Sequence, residues 1–196
     1  MRTFWLRGYQ GTSMSDLTAA MGMNAPSIYA AFGDKEELFE KVVERYLAGP
    51  GAYLQIASEQ PTPAALVRTV LRAVLDTIAG EDTPPGCLTV HGALAVNPRS
   101  SSVQQLLQRA RTRGEVALTS RFEAFQQDGR LPAGSNPSAL ARLLITVIQG
   151  LAVQAASGAS REALEAVCDQ LLACWPETDR AAGTTESHTG GAESGR

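Results

Sequence analysis

The stretch SMSDLTAAMGMNAPSIYAAFGDK, residues 13–35, decides the fold. Ser13 is placed to cap a helix whose apolar positions Met14, Leu17, Ala20 and Met21 fall three or four apart, a buried stripe at helical period. Gly22 ends that helix, because glycine enters the left-handed conformation of a helix C-terminus without steric cost. Asn24 caps the next helix, and Pro26 falls in its first turn, where the missing N–H removes no helical bond. Ile28 and Phe32, four apart, anchor this helix inward and turn Ser27, Tyr29 and Ala30 to another face. Asp34 and Glu37 form a D-x-x-E variant of the capping box, so a third helix begins at Lys35. Helix, glycine turn and a short second helix with small and polar outward residues make the helix-turn-helix pattern. The second helix of such a pair is the one that enters the DNA major groove.

On the N-terminal side, Phe4, Trp5 and Tyr9 pack an opening helix that Gly8 closes. From Lys35 a helix runs to about Ala48, with Leu38, Phe39, Val42, Val43 and Tyr46 inward, until GPG at 49–51 interrupts it. A further helical stretch covers Tyr53 to Ser58 before Pro61 and Pro63 break it. Thr62 or Pro63 to Ala79 is strongly amphipathic, carrying Leu66, Val67, Val70, Leu71, Val74, Leu75 and Ile78. Cys87 to Val96 is short and nearly all apolar, and Asn97-Pro98 breaks it. Ser100 or Ser101 opens a long helix to about Gln127, along which Arg109, Arg111, Arg113 and Arg121 read as a solvated face. The stretch 138–157 is apolar on more than one side, so most of its faces are buried. A last helix runs from Ser160 to Trp175. From 177 to 196 the chain has no apolar periodicity and is rich in Gly, Ser and Thr, which predicts a disordered tail. No period-two strand pattern appears, and the class is all-α. The organisation is a three-helix, helix-turn-helix domain over 1–48, a larger helical domain over 49–176, and the tail.

At 44% hydrophobic and 19% charged residues the chain affords a proper core and is not largely disordered. Its formal net charge is −3, and residues 1–48 hold five basic side chains against six acidic. Charge alone argues against DNA, since phosphate neutralisation supplies most non-specific affinity. The motif outweighs that balance, because a local cluster of donors serves where a domain average does not. Three cysteines (Cys87, Cys168, Cys174) without CxxC spacing suit a reducing cytosol. No apolar run approaches the roughly 20 residues of a membrane span, and MRTFWLRGYQG is too short and polar for a secretory signal. A cytoplasmic location follows. Two histidines, one of them in the tail, leave no metal cluster, no triad and no phosphate loop. Neither an enzyme nor a cofactor is expected, and Cys87 reads as a small buried hydrophobe.

The run RGYQGTSMSDLTAAMGMNAPSIYAAFGDKEELF, residues 7–39, resembles the TetR family of bacterial transcriptional regulators. It has the family's aromatic residue before a Thr-Ser, the glycine turn, a tyrosine near the middle of the recognition helix, and Phe-x-x-Lys-x-x-Leu at 32–38. The resemblance implies that Asn24 to Ala31 is the recognition helix, with Ala25, Ser27 and Ala30 toward base edges. It makes Tyr29 and Lys35 phosphate contacts, and puts Thr12 and Ser13 where a hydroxyl or a helix N-terminal N–H meets the backbone. Ala25 and Ala30 offer only methyl contacts, so direct readout is thin. The family also implies a ligand pocket among the helices of the larger domain, for which Thr89, His91, Phe122, Thr146 and Gln149 are the candidates. Its dimer interface falls on the last two helices, with one stripe at Leu140, Leu144, Val147, Leu151 and Ala155 and another at Leu164, Val167, Leu171 and Trp175. The alternative is that those stripes close the monomer's own core, and with two apolar faces the 138–157 helix can do both. A two-fold dimer presents recognition helices about one DNA turn, roughly 34 Å, apart. The implied function is a ligand-responsive regulator, a repressor released from a palindromic, double-stranded operator by a small-molecule effector. Family members carry a longer first helix preceded by a basic arm, whereas about two turns precede Gly8 here. Either the true start lies upstream, or contacts to DNA are lost. That departure and the acidic balance keep open an alternative, a DNA-silent helical small-molecule sensor or interaction module.

Overall fold

The computed structural model describes residues 1–94 and 101–176. Its α-helices are α1 (Arg2–Arg7), α2 (Met14–Met21), α3 (Ala25–Phe32), α4 (Lys35–Ala48), α5 (Pro63–Ile78), α6 (Leu88–Leu94), α7 (Ser101–Gln127), α8 (Pro137–Ala156) and α9 (Arg161–Ala173). A 3-10 helix, Ala52–Glu59, lies between α4 and α5. No strand occurs among the described residues. The expected Asn97-Pro98 break and the tail from 177 lie outside them.

Local chemistry sets most boundaries. The Ser13 hydroxyl oxygen accepts the Asp16 N–H at 3.1 Å while the Asp16 carboxylate accepts the Ser13 N–H at 2.8 Å, a reciprocal cap on α2. Gly22 ends α2 at φ 64°, in the left-handed region. Asn24 Oδ1 takes the Ser27 N–H at 2.9 Å and starts α3. Asp34 takes the Glu36 and Glu37 N–H groups at 2.8 and 2.9 Å, and Glu37 returns a bond to the Asp34 N–H at 2.9 Å. Thr62, Asn136 and Ser160 cap α5, α8 and α9 in the same way. Each such cap stabilises its helix by about 1 kcal/mol.

The core begins at α1, where Phe4 and Trp5 pack edge-on against Phe39 and Tyr46 of α4, with ring centroids 5.0 and 4.8 Å apart. Leu38, Phe39, Val42, Val43 and Tyr46 are buried, as the helical spacing predicts. The stripe on α2 is narrower than expected. Leu17 is buried and Met14 half-buried, but Ala20 and Met21 are exposed, because the last turn of α2 overhangs a groove between α1, α2 and α4. After α4, the Gly51 N–H donates to the Tyr46 carbonyl at 2.7 Å and Thr77 of α5 donates to the Pro50 carbonyl at 2.8 Å. That tight turn feeds the 3-10 helix where the sequence suggested an ordinary helical stretch.

Three expectations need correction. On α7, Arg111 and Arg121 are half-buried rather than solvated, and Arg121 lies 4.0 Å over the Phe125 ring while donating to the Gln60 carbonyl at 2.6 Å. The run Pro137–Ala156 is long and apolar enough, by length and composition, to cross a bilayer, contrary to the expectation that no such run exists. Packing accounts for one face of it: Ala141, Leu144, Ile148, Leu151, Ala152 and Ala155 face the bundle, and Arg142 pairs with Glu115 of α7 at 2.7 Å. Finally, Leu144, Leu151, Ala155, Leu164 and Trp175 of the expected dimer stripes are buried inside the protomer, and Leu140, Val147 and Leu171 are half-buried. Val167 is exposed, as are Leu143 and Val153 of α8. Apolar spacing marks both faces of a two-sided helix, and the stripe chosen on α8 is largely the one covered by the protomer itself.

Candidate DNA-binding surface and internal cavity

Ile28, fully buried, pins α3 to the bundle and sets its rotation. Ser27, Tyr29 and Ala30 consequently face solvent, Tyr29 with 49% of its surface free, and Ala25 is half-buried. Asn24 is exposed but its carbonyl oxygen is engaged in the cap. The Lys35 ammonium sits 4.3 Å above the centroid of the Tyr9 ring, which orients it beside the start of α4. Burial lowers its pKa, and the Asp16 carboxylate acts in the opposite direction. Thr12 cannot serve as a phosphate ligand through its hydroxyl. The side chain is fully buried and donates to the Gly8 carbonyl at 2.8 Å, closing the turn after α1. Ser13 is exposed at the N-terminus of α2.

The acidic excess of the first 48 residues has a structural explanation. Asp16, Asp34 and Glu37 cap helices, and Asp16 also pairs with Arg7. Hydrogen bonds from the Ser13 hydroxyl and N–H, then from Arg7, hold the Asp16 carboxyl at about 2. These carboxylates are occupied in shaping the helices, and the exposed surface of α3 carries none.

A second set of contacts ties α1 and α4 to the segment before α6. The Trp5 indole N–H donates to the Gly86 carbonyl at 2.9 Å in a buried bond, and a His91 ring nitrogen lies 3.3 Å from the Trp5 carbonyl oxygen. The Tyr46 hydroxyl donates to Cys87 Sγ at 3.2 Å, and the Thr89 hydroxyl is also 3.2 Å from that sulfur. The Tyr53 hydroxyl hydrogen-bonds the same thiol, and burial pushes both tyrosine pKa values up. Cys87 is therefore buried, as expected of a small hydrophobe, but in a ring of hydroxyls.

Beyond this junction a cavity of about 50 Å³ lies among the 3-10 helix, α6, α7 and α8. Thr89 and Gln149 line it, together with Tyr53, Arg111 and an aliphatic wall that includes Leu54, Val90, Ile145 and Ile148. The other three pocket candidates are elsewhere. His91 serves the junction with α1. Phe122 is fully buried against Phe125 and Trp175, and Thr146 is exposed with its hydroxyl donating to the Arg142 carbonyl at 2.8 Å. A larger concavity, about 920 Å³, is the groove between α1, α2 and α4, bordered by Arg2, Arg7, Lys41 and Arg45. Among the described residues no group of three or more His, Cys, Asp or Glu side chains could hold a metal ion.

The sequence reading missed Trp5, Tyr46, Tyr53 and Arg111 as parts of these sites. Trp5 and Gly86 are 81 positions apart, so no local pattern marks their bond. For Arg111 a signal did exist: it is four residues from Leu107, which is buried, and so stands near the inner face of α7.

Residues 1–42 match the family model for bacterial regulatory proteins of the tetR family, and residues 63–171 match the tetracyclin repressor-like C-terminal domain. The chain is 31% identical over 179 residues to the HTH-type transcriptional repressor ComR of Escherichia coli (strain K12), covering 90% of this chain and 85% of ComR. Among solved structures, it is similar to a cysteine mutant of the TetR family transcriptional regulator CifR complexed with 26-bp double-strand operator DNA. There the TM-score is 0.84 at 36% identity, over 89% of this chain and 92% of the other. A TetR transcriptional regulator from Rhodococcus sp. RHA1 gives a TM-score of 0.62 at 40% identity, over 89% and 94% of the two chains.

Proposed function

Because the chain belongs to the tetR family of bacterial regulatory proteins, we propose that it is a cytoplasmic repressor whose dimer binds a palindromic operator and releases it when a small molecule enters the helical bundle. The observation that carries this reading is the α3 surface: a helix fixed by a cap and one buried isoleucine, presenting Ser27, Tyr29 and Ala30 outward with Lys35 held beside it. Residues 1–48 act as the DNA-binding part. Residues 49–176 hold the effector and form the dimer, through the exposed Leu143, Val153 and Val167 of α8 and α9. The segment 86–91 joins the two. Thr89 and Val90 line the cavity, while Gly86, Cys87 and His91 bond to α1 and α4. An effector that fits one arrangement of this segment better than another shifts the DNA-binding equilibrium by that difference in affinity. No catalytic step is assigned to the chain.

The test is a gel shift of the full chain against its own upstream intergenic DNA at low and moderate salt, beside a variant with Tyr29→Ala and Lys35→Ala. A specific, salt-dependent shift that the variant loses supports the reading. No shift at either salt would leave a DNA-silent helical sensor as the better description.

A further inference from the structure

The cavity behind α6 contains a group that an apolar pocket does not require. Arg111 lines it and is half-buried. Among the described residues its guanidinium makes one long hydrogen bond, 3.5 Å, from Nη1 to the Thr89 carbonyl. The ion pairs among the described residues engage Arg7, Arg130, Arg142 and Arg161, and none includes Arg111. A guanidinium has five N–H donors in a planar fork, and taking it from water without an anionic partner is costly. That cost is visible in its lowered pKa, which burial causes and only the nearby Cys87 opposes. Gln149 and Thr89 add polar atoms to the lining, whereas the Tyr53 hydroxyl is committed to Cys87. Gly114 also lines the space: a Cβ there would come 2.5 Å from Leu54 Cδ1, so the glycine keeps the floor open.

This combination discriminates among ligands. A cation is repelled, and a neutral molecule supplies no charge to match the guanidinium. A carboxylate matches the fork in shape and charge. The volume, about 50 Å³, takes on the order of four water-sized groups, which limits the rest of the molecule to a short chain. Resting on the reading of the chain as an effector-released repressor, we propose that the effector is a short-chain monocarboxylate of about two to four carbons. Its carboxylate sits on Arg111 and its alkyl end among Leu54, Val90, Ile145 and Ile148.

The test uses the full chain in calorimetric titrations and melting curves with acetate, propionate, butyrate, hexanoate and the neutral butyramide. One or more of the three short acids should bind and raise the melting temperature, with butyramide and hexanoate at least about tenfold weaker. Arg111→Gln should weaken the best acid about tenfold or more, with Arg111→Lys intermediate because it keeps the charge but loses the fork. Gly114→Ala should weaken butyrate more than acetate. Circular dichroism and operator binding without ligand report whether each variant is folded. Equal binding of butyramide, no response to any short acid, or undiminished binding by a folded Arg111→Gln chain overturns the proposal. The acid-amide comparison needs no variant, so a misfolded one does not blunt it. The two readings fail separately. Acid binding through Arg111 without any DNA shift removes the repressor and keeps the site. A DNA shift with no acid bound does the reverse.

Discussion

Replacing Gly86 by alanine adds one methyl group where the chain turns from α5 into α6, and the structure specifies what that methyl meets. Gly86 has φ 87°, a region that costs an L-residue roughly 1–2 kcal/mol. The added Cβ would lie 2.6 Å from Cε1 and 2.8 Å from Nε2 of His91, and 3.1 Å from the backbone carbonyl oxygen of Ala152 on α8. The imidazole is held from its other side by the Trp5 carbonyl, so it cannot swing away without losing that contact. Overpacking of this kind adds about 1–3 kcal/mol. The sum is a destabilisation of about 2–5 kcal/mol and a fall in melting temperature on the order of 10 °C for a chain of this length. Urea unfolding followed by circular dichroism, at one fixed protein concentration because a dimer's stability depends on it, gives the number. A His91→Ala change in the same chain removes the two closest contacts but leaves the backbone strain. The double variant should therefore recover about 1–2 kcal/mol relative to the sum of the single ones. A Gly86→Ala chain within about 0.5 kcal/mol of the parent, or a double variant showing no coupling, would refute this account of the junction.

Three other outcomes follow from the same structure. Asn24→Ala removes the cap on α3, and should cost about 0.5–2 kcal/mol in urea unfolding while weakening operator binding in a gel shift. Asp16 has its carboxyl held at about 2 against an ordinary 3.8, so its contribution is full above the ordinary value and is lost as pH falls toward 2. Melting curves across that window should drop more steeply for the parent than for Asp16→Asn, and parallel curves would count against the cap. Leu143→Glu together with Val153→Glu alters only exposed positions of α8, so sedimentation should show monomers with the helical spectrum of the parent. A dimer that persists would place the interface on other residues.

What the sequence discloses here is short-range. Ser13 with Asp16, Asn24 with Ser27, and Asp34 with Glu37 are pairs three residues apart, and one-dimensional spacing is enough to read them. The glycine turn at 22 and the buried Ile28 belong to the same class, so the helix-turn-helix and the outward set on α3 are legible. The failures occur where tertiary packing chooses. On α8 two apolar faces compete, and only the positions of α7 and α9 decide that Leu144 and Leu151 point in while Leu143 points out. Thr12 looks like a free hydroxyl until the turn after α1 encloses it. His91 leaves the expected pocket for the junction with α1, and Arg111 leaves the expected solvated face for the pocket, because the cavity wall is assembled from α4, the 3-10 helix, α6, α7 and α8, and the fact that decides each residue's role is the neighbour it acquires.

The bond between Trp5 and Gly86 limits how this regulator can be taken apart. A fragment ending at residue 48 would expose the Trp5 indole and the Tyr46 hydroxyl, both of which find their partners in residues 86 and 87. A chimera that joined the first 48 residues of this chain to the sensing half of another would sever both bonds. In this chain the cut that preserves the joint would carry residues 86–91 along with the head, although some forty residues of sequence separate them. If α3 reads the operator as proposed, changing Ala25, Ser27 and Ala30 in place leaves the joint untouched and offers the simpler route to a new specificity.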